Sequence, residues 1–178
     1  MTRRQREPLR ADARQNRERL VEVARDALTA STDVPLTAIA RQAGVGSATL
    51  YRHFPNREAL VLAVCRRDVQ QLADAAPALL DEHPPPEALR RWLDGLARYG
   101  AMRSRLDGAG ASLDGEADEP LRAALARLLD AGAATGELRP DLDPGDVLLL
   151  LGFLWRGTPD AGGRMLDVVV AGLRQPMG

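Results

Sequence analysis

The sequence predicts an all-α protein, and three observations support this fold class. Apolar residues recur at intervals of three and four along most of the 178 positions, which is the spacing of one face of an α-helix. The sequence contains no convincing strand pattern and no internal repeat. Hydrophobic residues make up 45% of the chain but aromatic residues only 3%, so the core must consist mostly of Leu, Val and Ala, which suits packed helices.

Charge is distributed unevenly along the chain, although the formal net charge is only −1. Residues 1–60 contain 11 Arg and 7 acidic residues, whereas residues 61–178 contain 13 Arg and 18 acidic residues. All 24 basic residues are Arg, which can hold a phosphate or a guanine through two hydrogen bonds; the base composition of the genome is the alternative explanation. A basic front on an acidic body is expected of a protein that presents one end to nucleic acid.

The chain begins with a basic stretch and a predicted helix. Residues 1–10 carry four Arg and Pro8, which predicts a disordered basic arm. Such an arm either reaches DNA phosphates and the minor groove or remains a solvated tail. A first helix is predicted from about residue 11 to residue 29, and it should pack on the segment that follows. Its apolar stripe consists of Leu20, Val23, Ala24, Ala27 and Leu28.

Residues 34–60 predict two short helices joined by a tight turn. Gly44 ends the first helix, because a residue without Cβ adopts the left-handed conformation at little cost. Ser47 is predicted to cap the second helix. The inward positions are Leu36, Ile39, Ala40 and Ala43 in the first helix and Leu50 and Phe54 in the second. Two helices around a Gly-containing turn form a helix-turn-helix, whose second helix can lie in a DNA major groove.

This segment resembles the signature of the TetR family of transcriptional regulators. The resemblance rests on Ile39-Ala40, Ala43-Gly44-Val45, Thr49-Leu50-Tyr51-Arg52-His53-Phe54 and Asn56-Arg57-Glu58-Ala59-Leu60. It implies a three-helix DNA-binding domain over residues 11–56 and a helical effector-binding and dimerisation domain over residues 57–178. Pro35 and Gly46 depart from the common family pattern, and Pro35 removes one possible cap or phosphate contact.

The resemblance also implies DNA contacts on the outer face of the second short helix. The DNA-binding residues carried over by motif position are Ser47, Ala48, Thr49, Tyr51, Arg52 and His53, with Thr37 on the preceding helix. Their hydroxyl, phenol and imidazole groups can donate to phosphate oxygens or base edges. Arg57 begins the next helix, where its charge and the backbone N–H groups would hold a phosphate. The alternatives are partial burial for Tyr51 and an intramolecular ion pair for Arg52.

The rest of the chain predicts further helices separated by breakers. Helices are predicted over residues 57–76, 87–105, 120–135, 147–155 and 162–174, with a loop over residues 107–119. Pro84-Pro85-Pro86 interrupts the first two of these, and Gly136 closes the third. Asp143 is predicted to cap the fourth, with Pro144 as its first residue. Residues 135–141 also resemble a subset of TetR-family regulators.

The last two predicted helices are apolar on more than one face, which predicts a homodimer. A helix on a monomer surface needs a single apolar stripe. A fully buried central helix is the alternative. The predicted interface residues are Leu148, Leu151, Phe153, Leu154, Met165, Val169 and Leu173. The TetR resemblance further implies a small-molecule pocket in this part of the chain. Its candidate residues are Trp92, Tyr99, Met102 and Trp155, for each of which core packing is the alternative.

Patterns for catalysis, metals and membranes are weak. The Gly108-Ala109-Gly110 pattern lacks a preceding strand, and the two His residues and Cys65 lack metal-ligand spacing, so no catalytic residue, metal or cofactor is predicted. A single Cys, no signal peptide and no apolar run near 20 residues predict a cytoplasmic protein without a membrane partner. We therefore expect a ligand-responsive, dimeric TetR-like repressor of a pseudo-palindromic DNA operator. The alternatives are a helical ligand-binding module without operator binding and a small all-α enzyme.

Overall fold

The computed structural model describes residues 3–106, 118–152 and 159–175. The helices of these residues are α1 Arg3–Ala30, α2 Leu36–Gln42, α3 Ser47–His53, α4 Arg57–Glu82, α5 Pro85–Leu106, α6 Asp118–Ala134, α7 Pro144–Leu150 and α8 Pro159–Leu173. Across those ranges the only β feature is an isolated antiparallel bridge between Leu138 and Arg174. The predicted all-α class is confirmed. No helix in the described ranges has the length and apolar character needed to cross a membrane.

The prediction of a disordered arm is wrong for residues 3–10, which form the first turns of α1. Arg, Gln, Glu and Leu all have high helix propensity, and they dominate this stretch. Pro8 lies in the second turn of the helix and removes one backbone hydrogen bond there. The prediction gave too much weight to Pro8 and to the Arg charges, neither of which prevents a helix this close to its own start.

The described residues fall into two compact units. The first contains the residues up to Cys65 together with Leu106, and the second contains residues 66–105 and the described residues from 118 onward. The division lies within α4, nine residues after the domain boundary predicted between residues 56 and 57. The first turns of α4 belong to the first unit because they bury Leu60, Val61 and Val64.

The first unit is built from α1, α2, α3 and the start of α4. The helices α1, α2 and α3 contact one another in all three pairs. Most residues of the predicted inward stripes are buried, namely Leu20, Ala24, Leu28, Ile39, Ala40, Ala43, Leu50 and Phe54. Val23, Ala27 and Leu36 are only half-buried, and Val21, which was not predicted, is buried. Gly44 follows α2 with φ +67°, which confirms the left-handed turn that only Gly adopts cheaply. A buried underside therefore fixes the orientation of α3.

The second unit is built from the rest of α4 and from α5 to α8. α4 continues through Pro77 to Glu82, six residues past its predicted end, and α5 already begins at Pro85. Pro85 and Pro86 lie in the first turn of α5, where no backbone N–H is needed. Trp92 is completely buried, and its indole N–H donates to the Leu72 carbonyl of α4 at 2.8 Å. This bond ties α5 to α4.

The connection from α6 to α8 follows the predicted turn chemistry. Gly136 has φ +72°, and Asp143 caps α7 by accepting from the N–H groups of Gly145 and Asp146. The Arg139 N–H donates to the Leu173 carbonyl at 3.1 Å, which attaches the α6–α7 connector to the end of α8. α7 ends at Leu150 rather than at the predicted residue 155, and residues 153–158 and most of the predicted 107–119 loop lie outside the described residues.

Candidate nucleic-acid interface

The outer face of α3 carries the polar side chains that the sequence assigned to DNA. Leu50 is completely buried on the inner side, and Phe54 is buried where the helix ends. Tyr51 is 47% exposed and Arg52 is exposed on the opposite side, whereas Thr49 and His53 are half-buried. Ser47 and Ala48 are also exposed. Tyr51 therefore remains accessible on this face, although its exposure does not exclude the partial burial given as the alternative.

The predicted role of Ser47 as the cap of α3 is wrong. The N-cap is Gly46, in an extended conformation at φ −65° and ψ 143°, and no side chain forms a capping hydrogen bond. Ser47 is the first helical residue instead. Gly46 takes the cap position because it is the last residue of the turn that still has extended backbone angles. The Ser47 hydroxyl is therefore not used by the start of its own helix.

The start of α2 also lacks a side-chain cap. Pro35 occupies the N-cap position with φ −63° and ψ 141°, and it has no hydroxyl to offer to the first backbone N–H groups. Thr37 lies in the first turn of α2 with its side chain exposed. The departure from the family pattern at Pro35 thus leaves Thr37 as the hydroxyl-bearing residue of this turn.

Arg57 forms intramolecular hydrogen bonds that the sequence did not predict. Its Nη1 donates to the Val34 carbonyl at 2.7 Å, and its Nη2 donates to the Thr32 carbonyl, in a partly buried setting. These carbonyls belong to the connector between α1 and α2. Two of the five guanidinium N–H donors are committed there. These hydrogen bonds give Arg57 a structural role that competes with the predicted phosphate contact. The sequence did not indicate this role, because the partners are main-chain atoms.

Two further contacts hold the end of α3. The guanidinium of Arg17 on α1 lies over the Phe54 ring, 5.2 Å from its centroid, which is a cation–π geometry. The Asn56 side chain accepts from the Ala59 N–H at 2.8 Å and so caps α4 directly after the turn. The His53 and Phe54 rings are tilted by 50° with centroids 6.3 Å apart. The outward side chains therefore stand on a helix that is held at its end as well as beneath.

The candidate ligand-binding residues of the second unit lie in its core. Trp92 is completely buried, and Tyr99 and Met102 are each 7% exposed. The structure supports core packing for these three residues, and Trp155 lies outside the described residues. An open cleft of about 400 Å³ lies between α4 and α6, and a second cleft of about 350 Å³ lies beside the start of α5. Trp92, Tyr99 and Met102 line neither of these clefts. Arg90, in the wall of the second cleft, donates to Asp167, and this bond raises the pKa of the guanidinium above its ordinary value.

The candidate dimer residues are divided between core and surface. Leu151 and Leu173 are buried within their own chain at 0% and 4% exposure, so their assignment to a partner surface is wrong. Helical spacing turns these two positions inward, together with Val147, Leu166 and Val170. Met165 is exposed, whereas Leu148 and Val169 are half-buried. Phe153 and Leu154 lie outside the described residues. Among the described residues of these helices, the most exposed apolar side chains are Leu149, Leu150 and Val168, which were not among the predicted interface residues.

The described part of the chain contains no group of three or more His, Cys, Asp or Glu side chains that could hold a metal ion. Cys65, the sole cysteine of the sequence, is buried. What the residues above build is an exposed polar helix on a basic unit, which can contact phosphates and base edges.

The chain is similar to known bacterial transcriptional regulators. Residues 32–64 match the family model described as bacterial regulatory proteins, tetR family, and residues 84–175 match the one described as transcriptional regulator SbtR-like, C-terminal domain. An HTH-type transcriptional regulator of Staphylococcus aureus is 30% identical over 94 residues, and the chain spans about half the length of the curated relatives it matches, 51% in this case.

Two solved structures are similar over nearly the whole chain. A TetR transcriptional regulator of Streptomyces coelicolor is 37% identical, with a TM-score of 0.75 and coverage of 90% of this chain and 99% of the other. A TetR regulatory protein of Mycobacterium vanbaalenii is also 37% identical, with a TM-score of 0.72 and coverage of 94% and 99%. The chain belongs to the TetR family of bacterial transcriptional regulators, which are DNA-binding transcription factors and not enzymes.

Proposed function

We propose that the protein is a cytoplasmic, homodimeric and ligand-responsive repressor that inserts one α3 helix from each subunit into a pseudo-palindromic operator. The observation that carries the proposal is the exposed polar face of α3, on which Tyr51 and Arg52 project away from the buried Leu50. A short helix that exposes a phenol and a guanidinium while its underside is buried is suited to a DNA major groove.

The side chains of this face divide into two kinds of DNA contact. Ser47, Thr49 and Tyr51 carry hydroxyl groups that can donate to phosphate oxygens, and Arg52 can pair with a phosphate or with a guanine edge. Ala48 is exposed and small enough to lie against a thymine methyl group. The excess of Arg over acidic residues in the first 60 positions adds attraction for phosphate that does not depend on base sequence.

Exposed apolar side chains on α7 and α8 support a dimer. Leu149 is 81% exposed and Val168 is 73% exposed, and Leu150 and Met165 add to this surface. Large aliphatic side chains exposed on the same two helices are the kind of surface that a second copy of the chain would cover. A two-fold dimer presents two α3 helices to two half-sites, about one helical turn or a multiple of it apart.

α4 supplies a route by which an effector could alter DNA binding. The helix is continuous from Arg57 to Glu82, and its residues belong to the first unit up to Cys65 and to the second unit from Arg66 onward. A ligand that binds the second unit more tightly when α4 is in one position would favour that position. It would thereby change the distance between the two α3 helices of the proposed dimer. Because both recognition helices must enter their grooves in register, such a shift would lower the operator affinity.

The proposal is tested by selecting bound fragments from random DNA and titrating the selected duplex with the wild type, Tyr51→Phe and Tyr51→Ala. We expect Tyr51→Ala to weaken specific binding by about 5- to 150-fold, since it removes one base or phosphate contact of about 1–3 kcal/mol. Tyr51→Phe is the matched control that keeps the ring and removes only the hydroxyl. Unchanged specific affinity of Tyr51→Ala, with an unchanged fold, would contradict the assigned face.

A second outcome separates the alternative function. If selection enriches no fragment and binding to any duplex lacks steep salt dependence, the protein is a ligand-binding module that does not bind an operator.

A further inference from the structure

The cleft between α4 and α6 is lined by one face of each helix. On α4 the lining positions include 70, 73, 74 and 77, and on α6 they are 120, 123, 124 and 127. Both sets follow the i, i+3, i+4, i+7 spacing of one helix face. Ala or Pro occupies positions 73, 77, 120, 123 and 124, and these side chains are too short to fill the space between the two helices, whereas Gln70, Asp74 and Arg127 are longer and polar. The result is an open cleft of about 400 Å³, within the size range of small-molecule sites.

Pro77 leaves a hydrogen-bond acceptor beside this cleft. Pro77 lies inside α4 and has no backbone N–H, so the Ala73 carbonyl lacks the bond that residue 77 would otherwise donate. Ala73 and Pro77 both line the cleft. A carbonyl without its helical partner can accept a hydrogen bond from water or from a donor group of a bound molecule.

The cleft also carries opposite charges on its two walls. Asp74 lies on the α4 side, where it accepts from the Gln70 amide at 2.8 Å, and Arg127 lies on the α6 side. Among the described residues no ion pair joins Asp74 to Arg127, although both line the same cleft. An acidic wall with an adjacent backbone acceptor therefore faces a basic wall, with apolar Ala and Pro surface between them.

We propose that this α4–α6 cleft binds a small zwitterionic molecule that joins the two walls. Its amino group donates to Asp74 and to the Ala73 carbonyl, its carboxylate accepts from Arg127, and its apolar middle lies against Ala123 and Pro77. A cleft with one charge of each sign on its walls selects against molecules that carry only one of the two groups. The role of the ligand as the effector of the repressor rests on the proposed function, whereas its binding to the cleft does not.

The location of the cleft gives the ligand a means to act. Three of its α4 residues, Gln70, Asp74 and Pro77, follow Cys65 on the same continuous helix whose first turns belong to the DNA-binding unit. A ligand held between α4 and α6 binds more tightly to conformations in which the distance between Asp74 and Arg127 matches the distance between its own charged groups. It therefore favours the positions of α4 found in those conformations. The buried Trp92 and Tyr99, in contrast, offer no such space.

The test uses the ω-amino acids from 4-aminobutanoate to 8-aminooctanoate, together with leucine and phenylalanine, as probes of the full-length protein. Binding is measured by titration calorimetry up to about 10 mM, ten times the Kd of a weak millimolar ligand. We expect at least one probe to bind, and its N-acetyl and methyl ester derivatives to bind at least about tenfold more weakly, the loss expected for one charge-assisted hydrogen bond. Failure of every probe to bind the wild type overturns the proposal.

Matched variants locate the binding. Ala123→Met fills the cleft from an exposed position of α6 and should abolish binding, as should Arg127→Glu. Ala134→Met makes the same substitution at an exposed position of α6 outside the cleft and should leave binding unchanged. Because these positions are exposed, circular dichroism should show intact folds. Binding that survives Ala123→Met places the ligand elsewhere and refutes the site.

A separate titration with DNA distinguishes this inference from the proposed function. A probe that binds the wild type but not Ala123→Met, and yet leaves affinity for the selected duplex unchanged, supports the cleft and counts against ligand-responsive repression.

Discussion

Replacing Arg57 by Gln tests whether this side chain holds the DNA-binding unit together or contacts a phosphate. In the structure the guanidinium donates to the Val34 carbonyl at 2.7 Å and to the Thr32 carbonyl. A hydrogen bond from a charged donor contributes about 1.5–3 kcal/mol. Gln is shorter and uncharged, so it can replace at most one of the two bonds. Because the site is only partly buried and water can solvate both carbonyls, we expect Arg57→Gln to lower the free energy of unfolding by about 2–3 kcal/mol.

The effect of Arg57→Gln on DNA binding separates the two roles. Each phosphate contact adds about −0.9 to the slope of log K against log salt concentration. If Arg57 positions the connector between α1 and α2, affinity falls because α2 and α3 are less well held, and the slope stays as in the wild type. If Arg57 neutralises a phosphate, the magnitude of the slope falls by about one. Arg57→Lys, which keeps the charge but not the paired donors, should recover little stability.

The matched control is Arg52→Gln, which removes an exposed guanidinium from the outer face of α3. Its stability should stay within about 0.5 kcal/mol of the wild type, and its salt slope should fall by about one if it contacts phosphate. Stability is measured by urea unfolding followed by far-ultraviolet circular dichroism, and binding by fluorescence anisotropy of a labelled duplex between about 50 and 200 mM salt. An Arg57→Gln variant as stable as the wild type, with a reduced salt slope, would refute the positioning role.

Two further predictions concern the second unit. Gly132→Ala should lower the free energy of unfolding by about 1–3 kcal/mol in urea titrations, because the added Cβ would overlap the Leu138 side chain. Gly163→Ala on α8, where nothing lies within 4 Å of the new Cβ, should raise the free energy of unfolding by up to about 1 kcal/mol. Equal effects of the two substitutions would contradict the packing argument. Leu149→Ser combined with Val168→Ser should convert the proposed dimer into a folded monomer in light scattering, since both side chains are exposed in one subunit. A variant that remains dimeric would show that these helices are not the interface.

The local character of each helix was predictable because it depends on spacing and on a few residues of special geometry. Leu50 and Phe54 were assigned to the inner side of α3 from their four-residue separation, and both are buried. Gly44 and Gly136 were assigned to helix ends, and both have positive φ. Asp143 was assigned as a cap, and its carboxylate accepts two backbone N–H groups. In each case the deciding interactions lie within a few residues along the chain.

Predictions failed where the deciding contact lies elsewhere in the chain or where two local rules compete. A disordered arm was predicted because Pro8 and four Arg residues outweighed the high helix propensity of their neighbours, yet α1 begins at Arg3. Leu151 and Leu173 were assigned to a partner, whereas the chain's own core buries them. An apolar run supplies more hydrophobic residues than one face can hold, and the sequence does not state which of them turn outward.

By itself, the sequence determined the all-α class, the helix-turn-helix and the family, because periodicity, glycine positions and a rare short motif are properties of neighbouring residues. Only the tertiary structure decided that Arg57 binds the Thr32 and Val34 carbonyls, that Trp92 is core rather than pocket, and that a cleft opens between α4 and α6. These features depend on main-chain atoms and empty space brought together from positions 20 or more residues apart. The residue type does not show which donor a main-chain carbonyl will bind. The residue types also do not show where packed helices leave a space unfilled.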